Sequence, residues 1–204
     1  MGVSIHYRGR VADIQNIQTV CDELAAIADR MDWNYTRLDE DWTQVADASI
    51  EVTEQGSQIT GHLPLNGIAL TPHPKCEMMQ FFFDANGHLR DSLSMVNVSE
   101  EPLKTEGNWI SVKTQYAEPE THIWIIGLLK YLKKHHLQDL AVHDEGEYWE
   151  TGNFEILKEK MDLVGEKIAA MTAELSRVTK GHIGRFSADE VASMLEALIR
   201  DKLG

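Results

Sequence analysis

Trp109-Ile110-Ser111-Val112-Lys113-Thr114-Gln115-Tyr116, then Pro119-Glu120-Thr121-His122-Ile123-Trp124-Ile125-Ile126-Gly127-Leu128-Leu129-Lys130-Tyr131-Leu132-Lys133-Lys134-His135-His136, then Asp139-Leu140-Ala141-Val142-His143, carries the fold class of this chain. Trp109 to Tyr116 reads as a strand. Pro119 opens a helix where its missing N–H costs nothing. Apolar side chains on nearly every side of that helix predict that it is mostly buried. Asp139 to His143 resumes extended structure, so the stretch is a strand, helix, strand unit.

Working outward, the first forty residues repeat that order. Val3 to Tyr7 alternates as a strand, and Trp33 to Leu38 returns as one. Between them, over Asp13 to Met31, Ile14, Ile17, Val20, Cys21, Leu24 and Ile27 recur at helical spacing. The middle holds short β candidates: Ser49 to Thr53, Ser57 to Leu63, Gly67 to Thr71, Met79 to Asp84 and His88 to Val96. Glu54-Gln55-Gly56 and Asn86-Gly87 read as hairpin turns, and Pro72-His73-Pro74 as a stiff corner that ends a strand. The expectation is an α+β fold: a largely antiparallel sheet with two helices packed on one face, plus a C-terminal helical hairpin.

Beyond this body, Phe154, Leu157, Met161, Val164, Ile168, Met171, Leu175 and Val178 are spaced alternately three and four apart, a heptad seam with charged residues on the other faces. Gly181 and Gly184 stop the helix, and Ser187 with Glu190 opens another by a capping-box pattern. The division expected is an α+β domain over 1–152 and a helical extension over 153–204. The extension packs in cis or pairs two copies as a homodimer, with Leu157, Met161, Val164, Ile168, Met171 and Leu175 as the interface.

Composition narrows the class. Of the 204 residues, 43% are hydrophobic and 25% charged, ordinary for a globular protein. The formal net charge of −14 repels a phosphate backbone, which argues against nucleic acid as a partner. The basic run Lys130, Lys133, Lys134, His135 and His136 sits where positive charge complements a helix C-terminus. The longest apolar run, Ile123 to Leu129, is far short of the roughly 20 residues that span a bilayer, so no membrane partner is expected. Two cysteines, Cys21 and Cys76, do not make a disulfide scaffold, and a cytoplasmic chain with free thiols is expected.

Three clusters have the residue types for chemistry. In Val142 to Gly152 an extended backbone aims His143 and Glu145 to one face, with Glu147 or Glu150 joining across a turn, a pattern for metal ligation or acid/base work. The plainer reading is a turn at Gly146, solvated acids, and Tyr148 and Trp149 packing against the body. His73, Cys76 and Glu77 combine an imidazole with a thiol in one loop. Lys113, Gln115, Glu118 and His122 run from a strand into a helix start, where Glu118 is placed to cap the helix; they form either a structural network or a site for a polar small molecule, with Tyr148 and Trp149 as further binding candidates. His6 and Arg8 share a face of the first strand. There is no Gly-rich phosphate loop, nucleophile elbow or dinucleotide fingerprint, so no cofactor is assigned.

The stretches Ile5-His6-Tyr7-Arg8-Gly9, Val112-Lys113-Thr114-Gln115-Tyr116 with Pro119-Glu120-Thr121-His122, and His143-Asp144-Glu145-Gly146-Glu147-Tyr148-Trp149-Glu150-Thr151-Gly152 resemble those of an uncharacterised bacterial protein family, over Met1 to about Asn153. That resemblance implies a bacterial cytosolic origin and no activity, cofactor or catalytic residue. The leading expectation is a non-catalytic module that binds a protein partner or itself, one form being an immunity-type neutraliser of a basic partner. The alternative is a hydrolase, metal-dependent or acid/base, using His143 with Glu145 or Glu147. Whether the His73, His122 and His143 clusters meet in space is left open by the sequence.

Overall fold

The computed structural model describes residues 2–53, 56–96, 109–163 and 165. Two compact units divide the chain, Met1–Val164 and Gly165–Gly204. Val164, Ile168, Met171, Leu175 and the expected helical hairpin beyond them lie outside the described residues.

In chain order the elements are β1 (Ser4–Arg8), α1 (Ile17–Met31), β2 (Asn34–Asp39), β3 (Ser49–Thr53), β4 (Gly56–Thr60), β5 (Asn66–Thr71), β6 (Met79–Phe83), β7 (Leu89–Arg90), α2 (Ser92–Val96), β8 (Ile110–Lys113), α3 (Pro119–His135), β9 (Ala141–Asp144) and α4 (Tyr148–Thr151). Residues 154–163 are helical again. The fold is α+β and every strand pair in it is antiparallel. The strands are shared among three ladders, ordered β8-β1-β9, β2-β5-β6-β7 and β3-β4. β1 thus lies between the two strands of the second strand, helix, strand unit, while β1 and β2, which flank α1, belong to different ladders.

His88 to Val96 departs from expectation: only Leu89–Arg90 is strand, and a short helix follows. Asp91 is the cause. Its carboxylate accepts the Leu93 N–H at 2.8 Å, and its carbonyl accepts the Met95 N–H, which starts a helical turn where alternation alone reads as a strand.

The main core takes Val20, Leu24 and Ala28 from α1, Ile125, Leu129 and Leu132 from α3, and Ile5, Tyr7, Ile68, Phe81 and Val112 from the sheets. Alternation explains the strand contributions: Ile5 and Tyr7 point inward and His6 outward. Among the described residues, the ladders β8-β1-β9 and β2-β5-β6-β7 are tied together at three places. Gly9 C=O accepts the Leu89 N–H at 2.9 Å, and Lys113 C=O accepts the Glu77 N–H at 3.1 Å. At the third, the Tyr7 hydroxyl accepts the Gln80 N–H at 3.0 Å and donates to the Gln80 carbonyl at 2.8 Å, closing two groups of β6 that no strand reaches. Burial drives the Tyr7 pKa well above the usual phenol value, so it stays a neutral donor and acceptor.

Removing only that hydroxyl tests its importance. Tyr7→Phe leaves two backbone groups of a mostly buried strand without their partner, and is expected to lower unfolding stability by about 1–3 kcal/mol. Urea denaturation with an unchanged slope would confirm it, and an unchanged midpoint would mean that water replaces the phenol.

Candidate functional site

β9 divides its chemistry between two faces. Register pairs His143 with His6 and Asp144 with Ile5, so His143 shares the outer face with His6, and Asp144 enters the core. The His6 and His143 rings stack with centroids 5.7 Å apart. Just past the strand, Glu145 turns back over this face. Its carboxylate accepts the Ser4 N–H at 2.8 Å and places its other oxygen 3.7 Å from His6 Nε2.

On the inner face the groups are sealed. His122, from the first turn of α3, sets Nε2 3.0 Å from Asp144 Oδ1, and neither side chain is exposed. The contact is a bent, electrostatic one, because Nε2 has no straight hydrogen-bond partner among the described residues. His122 Nδ1 shares a proton with Thr114 Oγ1 at 2.8 Å, and Thr114 also lies against the Val3 carbonyl. The Asp144 oxygens accept the N–H groups of Gly146 at 2.7 Å and Trp149 at 2.9 Å. Desolvation pushes the Asp144 carboxyl up, but His122 and those two amides outweigh it and hold the pKa below the ordinary carboxylate value.

That network shapes the turn above it. Glu147 adopts a left-handed backbone at φ 59°, unusual for a residue with a Cβ, and the Thr151 hydroxyl holds its carbonyl at 2.6 Å. A side chain at Gly146 would put its Cβ 2.7 Å from Leu157 Cδ1 and 3.0 Å from both Asp144 Oδ1 and His122 Cε1, so only glycine fits. Outside the turn lies an open depression of about 490 Å³, lined by His143, Asp144, Glu145, Glu147, Glu150, Thr151 and Lys160. Lys160 reaches it from the helical residues 154–163 and donates to Glu147 Oε1 at 2.6 Å and the Glu145 carbonyl at 3.2 Å. Asn153 starts that helix by accepting the Glu155 N–H at 2.9 Å. Leu157 and Met161 pack it onto Val3, Ile123 and Tyr148. The second and third positions of the heptad seam, Leu157 and Met161, are therefore used within this unit.

Comparison with family models, with curated proteins and with solved structures finds no match.

The structure brings His143, Glu145 and Glu147 to one depression and puts Tyr148 and Trp149 behind it, half-buried against the core. The His122 and His143 groups meet back to back, through Asp144. His122 does not join Lys113 and Gln115 in an open pocket. Gln115 Oε1 accepts the Val3 N–H at 3.2 Å, and the Lys113 N–H donates to Glu77 at 2.8 Å. Glu118 makes no side-chain cap; α3 starts with proline at its first turn, and the Glu118 carboxylate lies 3.9 Å from Lys75. His73 Nδ1 accepts the Lys75 N–H, and burial followed by the Glu77 charge pushes the Cys76 thiol up to about 12, so this loop holds no ready thiolate. Among the described residues, no group of three or more His, Cys, Asp or Glu is placed to hold a metal ion. Nor is any helix among them long and apolar enough to cross a membrane.

Thr114, Asp144 and Lys160 are the contributors that linear reading missed, and cross-strand register assigns His6 of the first strand to the His143 cluster. Asp144 had one signal, an Asp two residues before a Gly, the pattern of a side chain that caps its own turn.

Acid titration checks the Asp144 network. An unfolded chain protonates this carboxyl at a higher pH than the folded one, so the stability it contributes is complete above the ordinary carboxylate value and disappears as pH falls through the depressed one. Asp144→Asn is expected to cost roughly 1–3 kcal/mol at neutral pH, because the buried Gly146 and Trp149 N–H groups lose their carboxylate acceptor. The same substitution should flatten the acid limb of the stability profile below about pH 4. A parallel loss at every pH would show that Asp144 is not ionised in the folded protein.

Proposed function

We propose that this chain is a non-catalytic interaction module that receives a basic segment of a protein partner in the depression beside β9. One observation carries the reading: Glu145, Glu147 and Glu150 line an open concavity in which Lys160 is the only Lys or Arg among the described residues. A net charge of −14 supports it, because a field of one sign raises the encounter rate with a cationic partner. An immunity-type neutraliser in the bacterial cytosol is the form that fits best. The free thiols Cys21 and Cys76 accord with that compartment. Self-association through Val164, Ile168, Met171 and Leu175 belongs to the same class of function.

Titration calorimetry with a lysine-rich peptide tests the depression. Glu150→Lys is expected to weaken binding by roughly 1 kcal/mol, about fivefold in affinity. Asp29→Lys, the same charge change on an exposed position of α1, should leave affinity nearly unchanged. Equal weakening by both would reduce the effect to net charge and remove the depression from the interface.

A hydrolase reading retains one observation in its favour, the convergence of His6, His143 and Glu145 on one exposed face. Two imidazoles beside a carboxylate suit general acid/base chemistry without a metal. If that reading is right, His143→Ala lowers turnover of chromogenic ester or phosphoester substrates by about 10²-fold or more with an unchanged melting temperature. Absence of turnover in the unaltered protein across that panel would dismiss it.

A further inference from the structure

Most of the outer stripe of α3 is not explained by the described residues around it. Glu120, Trp124, Gly127, Lys130, Tyr131 and Lys134 share one helix face and are all exposed. Trp124 is 56% and Tyr131 37% accessible. Between them sits Gly127, where an added Cβ would meet nothing within 4 Å. A glycine inside a helix costs about 0.5–1 kcal/mol relative to alanine. Neither backbone conformation nor a neighbour among the described residues calls for it.

Close approach of another helix would give that glycine a purpose, and the residues around it specify which helix. Positions equidistant from Gly127 are chemically complementary: Glu120 lies as far before it as Lys134 lies after, and Trp124 as far before as Lys130 after. In an antiparallel pair of identical helices crossing at Gly127, each Glu120 meets Lys134 of the second copy, and each Trp124 ring meets the Lys130 ammonium of the second copy. Lys130 already favours an indole, lying 5.5 Å from the Trp149 ring. Tyr131 is held by its hydroxyl donating to Glu23 at 2.7 Å, so its ring is ordered before any partner arrives.

We infer that the Glu120-Trp124-Gly127-Lys130-Tyr131-Lys134 face of α3 is a two-fold interface that pairs antiparallel with the same face of a second copy of this chain. None of its residues lines the acidic depression, and it stands or falls independently of the function proposed for it. Trp and Tyr are the residues most enriched at the energetic centres of such interfaces, and both signs of charge are present in matched positions.

Sedimentation equilibrium of the full chain tests this at about 0.15 M salt, where the Debye length of about 8 Å screens the repulsion between two copies of net charge −14. The expected result is a mass approaching twice 23.1 kDa as concentration rises. Gly127→Arg should return the mass to one chain with no loss of melting temperature, because the position is open in the single copy. Glu120→Lys and Lys134→Glu should each weaken pairing by about fivefold or more, and the two together should restore it. A single-chain mass at every concentration up to roughly 100 μM, where even a modest interface would be populated, overturns the inference. So does a dimer that survives Gly127→Arg, which would assign self-association to another surface. Failure of the double variant to recover pairing would overturn the antiparallel register.

Discussion

A carboxylate taken out of water must be matched atom by atom, and at Asp144 this requirement organises the molecule. Isolated in an apolar interior, an ionised carboxyl is prohibitively unfavourable, so each oxygen needs a partner placed by another element. Here α3 supplies His122, and the turn after β9 supplies the amides of Gly146 and Trp149. His122 in turn needs Thr114, beyond the end of β8, which leans on the Val3 carbonyl before β1. Five parts of the chain are located by one charge. Gly146 extends the constraint outward, since the space it leaves is where Leu157 enters and seats the helical residues 154–163. The outer depression is a consequence: with Asp144 turned in, strand alternation turns His143 out, and the turn above carries Glu145, Glu147 and Glu150 to the rim.

Legibility of the fold followed the range of the forces involved. Elements governed by near neighbours were readable: the apolar stripe of α1, the proline start of α3, the alternation of β1 and the turn at Asn86-Gly87, where Gly87 N–H bonds the Asp84 carbonyl at 2.8 Å. Ladder membership was not, because pairing β1 with both β8 and β9 joins segments more than a hundred residues apart and leaves no local periodicity. α2 was misread for a different reason. One capping residue, Asp91, outweighs the strand-like alternation of Leu89 to Val96, and a helix of five residues offers too few turns for a 3.6-residue period to declare itself.

The site was half legible on the same grounds. Period two puts His143 and Glu145 together without knowledge of the fold. It equally puts Asp144 on the opposite face, but a lone acid between two candidate ligands draws no attention until its burial is known. His6 is brought in by cross-strand register and Lys160 by the docking of a later helix, and neither relation is written in spacing. Cys76 has the residue types of a reactive thiol, next to a histidine and two prolines, but burial and the neighbouring Glu77 both disfavour its thiolate.

The two outward surfaces differ in a way that bears on their partners. The depression is nearly of one sign, so a second copy of itself brought against it would set carboxylate against carboxylate, a juxtaposition that disfavours association. Under the proposed function its partner is a foreign, cationic surface. The α3 stripe carries both signs at positions equidistant from Gly127, an arrangement that is complementary to its own image under a two-fold rotation. Chemistry of the catalytic kind has less to draw on. The acid and imidazole in direct contact, Asp144 and His122, have buried side chains, while the exposed carboxylates of the rim sit in water, where charge steers encounters more effectively than it stabilises a transition state.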